Sequence, residues 1–206
     1  LFEYHKSKRS ASAGNIAFAI AAIVITAAAF SAVCFILESK EASRRSAINN
    51  LALGDTYLML GRTDLALKRF GESIKYEPRT AVERSFGELS KRCLAELYTA
   101  KDASIPEKCF RFITMHQPEN VRALVGLAEM RRIKGLGPGG FLDKAEKSMG
   151  RNTDDMVLTG FARLSAGQPC AARRIARMAL DVAPSFPAAE RLFAESSSKC
   201  KMDDLK

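Results

Sequence analysis

Residue types that could do chemistry are few in this chain. Histidine occurs only as His5 and His116, and neither has companion acids or thiols at the spacing of a metal centre or a Ser-His-Asp triad. The glycine-rich run 135–140, GLGPGG, lacks the Lys-Ser or Lys-Thr of a phosphate-binding loop and no strand-like pattern precedes it. We therefore expect no catalytic residue, no cofactor and no metal. An enzyme is the least expected class, and we interpret 135–140 as a turn between helices.

The chain has 5 cysteines and none of them forms a Cys-x-x-Cys motif. Cys34 lies in an apolar run and is expected to be a small packing residue. Cys93 and Cys109 would lie on paired helices. In an oxidising compartment they could form a disulfide if their Cα atoms come within about 7 Å, and otherwise they are two buried thiols. The same two interpretations stay open for Cys170 and Cys200.

The element that must position the rest of the chain is an uncharged run from Ser10 to Leu37. Its apolar part, 15–37, is long enough at about 1.5 Å per residue to cross a hydrocarbon core of about 30 Å. We expect a transmembrane helix over 15–37, preceded by a flexible polar start at 1–14. A buried helix of a soluble domain is an alternative, but it needs a core that wraps an apolar helix on all sides. A cleaved signal peptide normally has a shorter apolar region, of about 7–15 residues.

Small residues recur four apart within the expected span, at Ala17 and Ala21 and at Ala28 and Ala32. This spacing lets another transmembrane helix pack closely, and the alternative is that alanine is merely frequent in the segment. The basic residues flanking the span are equal in number on its two sides. The positive-inside rule therefore leaves the orientation open.

A repeat-like pattern follows the span after a helix-favouring linker, 38–46. Small residues, aromatic residues and a proline fall at the spacing of a helix–turn–helix unit, at Leu53, Gly54, Tyr57, Gly61, Ala66, Phe70 and Pro78. The stretch 47–80 thus resembles one tetratricopeptide (TPR) repeat, a unit of about 34 residues. The early Trp of the family is absent, with Asn50 in its place.

Weaker matches continue in the same register. They predict units at about 87–120, from near Val121, and at about 153–186, followed by a closing amphipathic helix. The resemblance covers 47–198 and leaves 199–206 as a tail. It implies an all-α fold, a TPR-like α-solenoid of antiparallel helix pairs joined to one N-terminal transmembrane helix.

The resemblance also implies a binding groove, because the first helix of each TPR unit lines the concave face. Its expected lining is Leu51, Met59, Tyr98, Arg122, Arg132 and Phe161. The groove would be apolar at both ends and basic between them. Such a surface suits an amphipathic helix or an extended loop of a partner, unless the apolar residues pack against neighbouring helices of this chain. The carboxylate clamp of chaperone-binding TPR domains is not expected, since only Arg122 agrees with it.

The expected function is that of a membrane-anchored TPR-like scaffold, an accessory subunit or assembly factor of a larger, energy-transducing membrane complex. Its partners would be other subunits, bound through the span and the groove, and the lipid bilayer. Nucleic acid is not expected despite the net charge of +9, since a basic balance is also common in organellar proteins. A protein-import receptor and a bacterial inner-membrane biogenesis factor are the alternatives. The mitochondrial inner membrane is favoured, with thylakoid and bacterial inner membranes as alternatives.

Overall fold

The computed structural model describes residues 2–76, 82–99 and 103–200, and within these ranges every regular element is a helix. Side chains of the first helix are described at Phe18 and from Ile20 onward. The helices, in chain order, are α1 Phe2–Met59, α2 Thr63–Ile74, α3 Phe86–Thr99, α4 Ser104–His116, α5 Val121–Ile133, α6 Phe141–Ser148, α7 Thr153–Ser165, α8 Pro169–Val182 and α9 Pro187–Lys199.

Helix α1 is a single element of 58 residues. It runs through the expected span and the linker 38–46 without a break, because residues 15–46 contain neither proline nor glycine. The segment 1–14, expected to be flexible, has a helical backbone from Phe2 onward. The part of α1 that packs on α2 is therefore the direct continuation of the apolar part.

The apolar part of α1 packs against no other part of the described chain. Large side chains between Phe18 and Leu37 are 51–79% exposed, so no core wraps this helix. The hydroxyl of Thr26 donates back to the carbonyls of Ala22 and Ile23 at 3.0 and 2.9 Å, which leaves its polar hydrogen paired within the helix. The helix is long and apolar enough to cross a membrane.

The remaining helices pack in adjacent pairs, as the sequence predicts for an all-α solenoid-like fold. Helix α1 packs on α2, α3 on α4, α5 on α6, and α7 on α8, and α9 closes the row against α8. The odd-numbered helices α3, α5, α7 and α9 also contact one another in succession. Helices α5 and α7 begin at Val121 and Thr153. Pro78, expected to end the first unit, lies outside the described residues.

Close helix approach depends on glycines that face a bulky side chain. Gly54 of α1 lies against the ring of Phe70, and Gly126 of α5 lies against the ring of Phe110. Gly160 of α7 meets the Leu192 side chain in the same way. At each of these places the facing side chain occupies the position of a Cβ atom, so the helices pack backbone against side chain.

The turn between α1 and α2 requires glycine. Gly61 has a φ of 72°, in the left-handed region that other residues adopt only at a cost. The N–H of Arg62 donates to the carbonyl of Tyr57 at 2.8 Å, and the Gly61 N–H donates to Leu58, which is a Schellman ending. The same arrangement ends α7 at Gly167, whose φ is 74°.

Two main apolar cores lie along the row of helices. The first is built around large fully buried residues, Phe70, Phe86, Leu89, Phe110 and Ile113. The second is formed mainly by α5 to α8, with Val125, Leu142, Met156 and Ile175. A small third cluster of Ala172, Ala176 and Leu192 joins α8 to α9. Each helix pair thus contacts its neighbours rather than one central core.

Two disulfides resolve the alternatives that the cysteine pattern leaves open. Cys93 and Cys109 join α3 to α4 with their Cα atoms 6.4 Å apart. Cys170 and Cys200 join the start of α8 to the residue after α9, with a Cα separation of 4.9 Å. Cys34 of α1 is a free thiol. Both bridges lie in the packed helices α3 to α9 and their ends, and the unbridged cysteine lies in the apolar part of α1.

Candidate protein-binding face

The six expected groove residues all lie on odd-numbered helices. Leu51 and Met59 belong to α1, Tyr98 to α3, Arg122 and Arg132 to α5, and Phe161 to α7. We refer to the exposed surface of α1, α3, α5 and α7 as the odd-helix face. Since α3 contacts α5 and α5 contacts α7, this surface is continuous over those three helices.

The centre of the odd-helix face is a cluster of Tyr98, Glu129 and Arg132. Arg132 Nε donates to Glu129 Oε2 at 2.7 Å, and Glu129 is only 4% exposed. This hydrogen bond and the charge of Glu129 raise the pKa of Arg132. Tyr98 of the neighbouring helix is 64% exposed. A buried carboxylate thus holds an arginine in place beside an exposed tyrosine.

Tyr98 stays neutral near physiological pH. Partial burial of its hydroxyl, and then the charge of Glu129, raise the pKa of Tyr98 above its ordinary value of 10.0, while Arg132 opposes the shift. The phenol can therefore both donate and accept a hydrogen bond. Tyr and Arg are the residue types that most often dominate protein–protein contacts, and a partly fixed arginine loses less entropy on binding.

Arg122 has a different environment from Arg132, although both lie on α5. Its guanidinium faces Asp155 Oδ1 of α7 at 3.4 Å. Burial raises the pKa of Asp155, the charge of Asp154 adds to this, and Arg122 opposes it. Arg122 thus forms an ion pair between two helices, so its guanidinium is less available to a binding partner than that of Arg132.

The two expected apolar ends of the groove also differ from each other. Met59 is 89% exposed, so it is open to a partner. Leu51 is half-buried and packs on the first core. Phe161 is half-buried against the second core, and the Arg191 guanidinium lies 5.1 Å from the centre of its ring. The open part of the face is therefore carried by Met59, Tyr98 and Arg132.

The sequence analysis does not identify an ionic network around Arg163. This residue is only 8% exposed. Arg163 donates to Gln168 Oε1 at 2.7 Å, to Asp143 Oδ1 at 2.6 Å and to Glu146 Oε2 at 3.0 Å. Arg174 of α8 shares Glu146. The two acids, Glu146 and Asp143, lie 17 and 20 residues from Arg163 on another helix, so no local spacing could have indicated them. The network joins α6, α7 and α8.

The described residues hold no group of three or more His, Cys, Asp or Glu that could bind a metal ion. The His116 ring packs edge-on against Phe112, with the ring centres 4.9 Å apart, so it belongs to an aromatic cluster. The run 135–140 follows a helix rather than a strand, and Arg131 Nε donates to its Gly137 carbonyl at 2.8 Å. This is the turn between helices that the sequence predicts.

The expected packing residues of the span are exposed where they are described. Ala21, Ala28 and Ala32 lie along one side of α1 and contact no other helix. The Ala17 side chain lies outside the described set. We refer to the three described alanines as the alanine seam.

Comparison with protein-family models and with curated proteins finds no match to this chain.

Proposed function

We propose that this chain is a membrane-anchored, TPR-like adaptor that acts as an accessory subunit or assembly factor of a larger membrane complex. The apolar part of α1 would be its single span. The odd-helix face would hold a soluble segment of a partner, and the alanine seam would pack against a partner helix. Its mechanism would be positional, without bond-making chemistry in the chain itself.

The observation that carries the proposal is that one helix, α1, contains both the apolar segment and the first packed helix of the folded domain. Helix α1 is exposed and apolar up to Leu37, and it begins to pack on α2 at the fully buried Ala47. The carbonyl of Ala47 accepts a hydrogen bond from the Ser73 hydroxyl at 2.9 Å. Nine helical residues, 38–46, thus separate the apolar segment from the folded domain, and the rise from Leu37 to Ala47 is about 15 Å. A domain held this near a bilayer is suited to contact other membrane-bound proteins.

The disulfides support a choice of side. Disulfides persist in oxidising compartments and are rare in the cytosol, and both bridges lie after the span. We therefore propose that the repeat region faces the oxidising side and that residues 1–14 face the reducing side. The mitochondrial inner membrane with the repeats in the intermembrane space fits this orientation, as does a bacterial inner membrane with the repeats in the periplasm.

An import receptor is less well supported. A presequence is a basic amphipathic helix, so its groove should offer exposed acids. At the centre of the odd-helix face the acid, Glu129, is buried and paired with Arg132. The exposed acids of this face lie away from that centre: Glu88 of α3 is paired with Lys91 at 2.6 Å, and Asp154 lies at the start of α7.

The test is purification of the tagged full-length chain in mild detergent, followed by native gel electrophoresis and quantitative mass spectrometry. A stoichiometric complex is expected. Met59→Ala combined with Tyr98→Ala should reduce partner recovery by at least about tenfold, since exposed anchors of these types carry such contacts.

A matched control is available on the even-numbered side of the fold. Met115 at the end of α4 is 63% exposed and Tyr76 after α2 is 54% exposed, so Met115→Ala with Tyr76→Ala removes the same atoms elsewhere. This control should keep the partner. Equal recovery for both double variants would show that the odd-helix face is not the binding surface. A wild-type chain purified without a stoichiometric partner would exclude the accessory-subunit proposal.

A further inference from the structure

A second surface lies at the far end of the fold, between α8 and α9. It is a cleft of about 590 Å³, lined by Arg173, Arg174, Arg177 and Phe193, together with Cys170 and Ala171. We call it the arginine cleft. It involves none of the residues of the odd-helix face.

The arginine cleft carries uncompensated positive charge. Arg174 reaches Glu146 of α6, but in the described ranges no ion pair joins Arg173 or Arg177 to an acid. Arg177 is exposed and Arg173 is half-buried. The only acid on α8 is Asp181. Two guanidinium groups are thus open to an anionic partner.

The walls of the cleft are fixed relative to each other. The disulfide between Cys170 and Cys200 ties the start of α8 to the end of α9. Ala172, Ala176 and Leu192 are fully buried between these helices. Because a disulfide and the packing of α8 against α9 hold its walls, the cleft loses little conformational entropy when a ligand binds.

We propose that the arginine cleft binds an acidic peptide segment of a protein partner. Arg173 and Arg177 lie one helical turn apart, with Cβ atoms about 5–6 Å apart, which suits two separate carboxylates better than one small anion. Guanidinium groups bind carboxylates through paired hydrogen bonds. Phe193, partly buried at the same cleft, adds an apolar contact that a peptide side chain can use. The proposal goes beyond the adaptor function and does not require the odd-helix face.

The experiment measures binding of a fluorescein-labelled peptide that carries four glutamates and one phenylalanine to the full-length chain in detergent, by fluorescence anisotropy. The same peptide with glutamine in place of glutamate is the ligand control. Saturable binding of the acidic peptide is expected, and at least about tenfold weaker binding of its glutamine counterpart, because charge-assisted hydrogen bonds are lost.

Variants then locate the site. Arg173→Gln with Arg177→Gln should weaken binding at least about tenfold. Lys147→Gln with Arg151→Gln removes two other exposed charges that have no acid partner in the described ranges, and it should change the affinity less than about twofold. Ala171→Glu leaves the arginines in place but adds an acid at the edge of the cleft, and it should also abolish binding.

Three results would overturn the proposal. One is unchanged affinity for the Arg173 and Arg177 double variant, and another is an equal loss for the Lys147 and Arg151 control, which would indicate attraction by net charge alone. The third is displacement of the peptide by inorganic phosphate at equimolar concentration, which would assign the cleft to a small anion. Met59→Ala with Tyr98→Ala leaves the cleft arginines in place. Full partner recovery in that variant would contradict the odd-helix face without affecting peptide binding here, so the two proposals fail separately.

Discussion

Gly54 and Phe70 are in direct contact across the first helix pair: a Cβ atom on Gly54 would lie 2.5 Å from Cε1 of the Phe70 ring. Phe70 is fully buried, so its ring cannot turn out into solvent to make room for a larger residue at position 54. Gly54, one of the small residues of the repeat-like pattern, is therefore a position where a methyl group does not fit unless the Phe70 ring shifts.

Gly54→Ala should destabilise the fold despite the better helix propensity of alanine. Overpacking of a filled core costs about 1–3 kcal/mol, which outweighs a helix gain of roughly 1 kcal/mol at most. Thermal unfolding of the full chain in detergent, followed by circular dichroism, measures the change. Gly87→Ala is the matched control, because a Cβ there meets nothing within 4 Å. A melting temperature for Gly54→Ala equal to that of the control would contradict the contact.

Four of the cysteines should be protected from alkylation by their disulfides, and only Cys34 should react. Protein purified without reductant, then denatured and alkylated, should carry a single label at Cys34, since the other four are bridged. Prior reduction should give labels at all 5 cysteines. Intact-mass spectrometry distinguishes these results. Five labels without reduction would show that neither bridge forms in the source compartment, and the proposed orientation would lose its support.

Glu107 should contribute a pH-dependent part of the stability. Lys134 Nζ donates to its carboxylate at 2.6 Å and Arg111 Nη2 at 2.9 Å, which lowers the pKa of Glu107 from its ordinary 4.5. A pKa lowered by folding gives stability that is present above the unfolded value and lost as the pH falls through the folded value. Because the carboxylate is 25% exposed, we expect roughly 0.5–1 kcal/mol.

Urea unfolding at neutral pH and at a pH well below 4.5 tests this expectation for Glu107→Gln. The variant should be less stable than the wild type at neutral pH, and the difference should shrink in acid. Glu119→Gln is the control, since Glu119 is exposed and no ion pair of the described residues includes it. A stability difference for Glu107→Gln that persists in acid would mean that the carboxylate charge is not its cause.

Arg163→Met should be strongly destabilising. It keeps the aliphatic length of the side chain but leaves Glu146, which is 16% exposed, with Arg174 as its remaining partner. Breaking a buried ion pair costs about 3–5 kcal/mol, and we expect about 2–3 kcal/mol because Asp143 is well exposed. Arg151→Met, at an exposed site, should change the unfolding free energy little. A loss no larger than that of the control would show that the network is not stabilising.

Local chemistry made much of the fold predictable. Gly61 and Gly167 mark the ends of α1 and α7 because only glycine adopts their backbone conformation at low cost. The spacing of small and aromatic residues around Gly54 and Phe70 locates the first helix pair. The glycine signals lie within one or two turns of the chain, and Gly54 and Phe70 lie only 16 residues apart across one short turn, which is why a sequence pattern can show them.

Contacts between distant residues were not predictable. The pairing of Arg163 with Asp143 depends on how α6 and α7 cross. The burial of Glu129 beside Tyr98 depends on the packing of α5 against α3. Expected groove residues also divide by environment: Leu51 packs on the core while Met59 stays open, and both occupy similar positions in the linear pattern.

The unbroken helix α1 fixes an angular relation between its apolar part and the folded domain. At about 100° per residue, Met59 lies on the side of α1 opposite to the alanine seam at Ala21, Ala28 and Ala32. A helix that packs on the seam and a segment that binds at Met59 would therefore approach from opposite directions. Because both parts belong to one helix, a rotation of the apolar part of α1 also rotates the side of α1 that carries Met59.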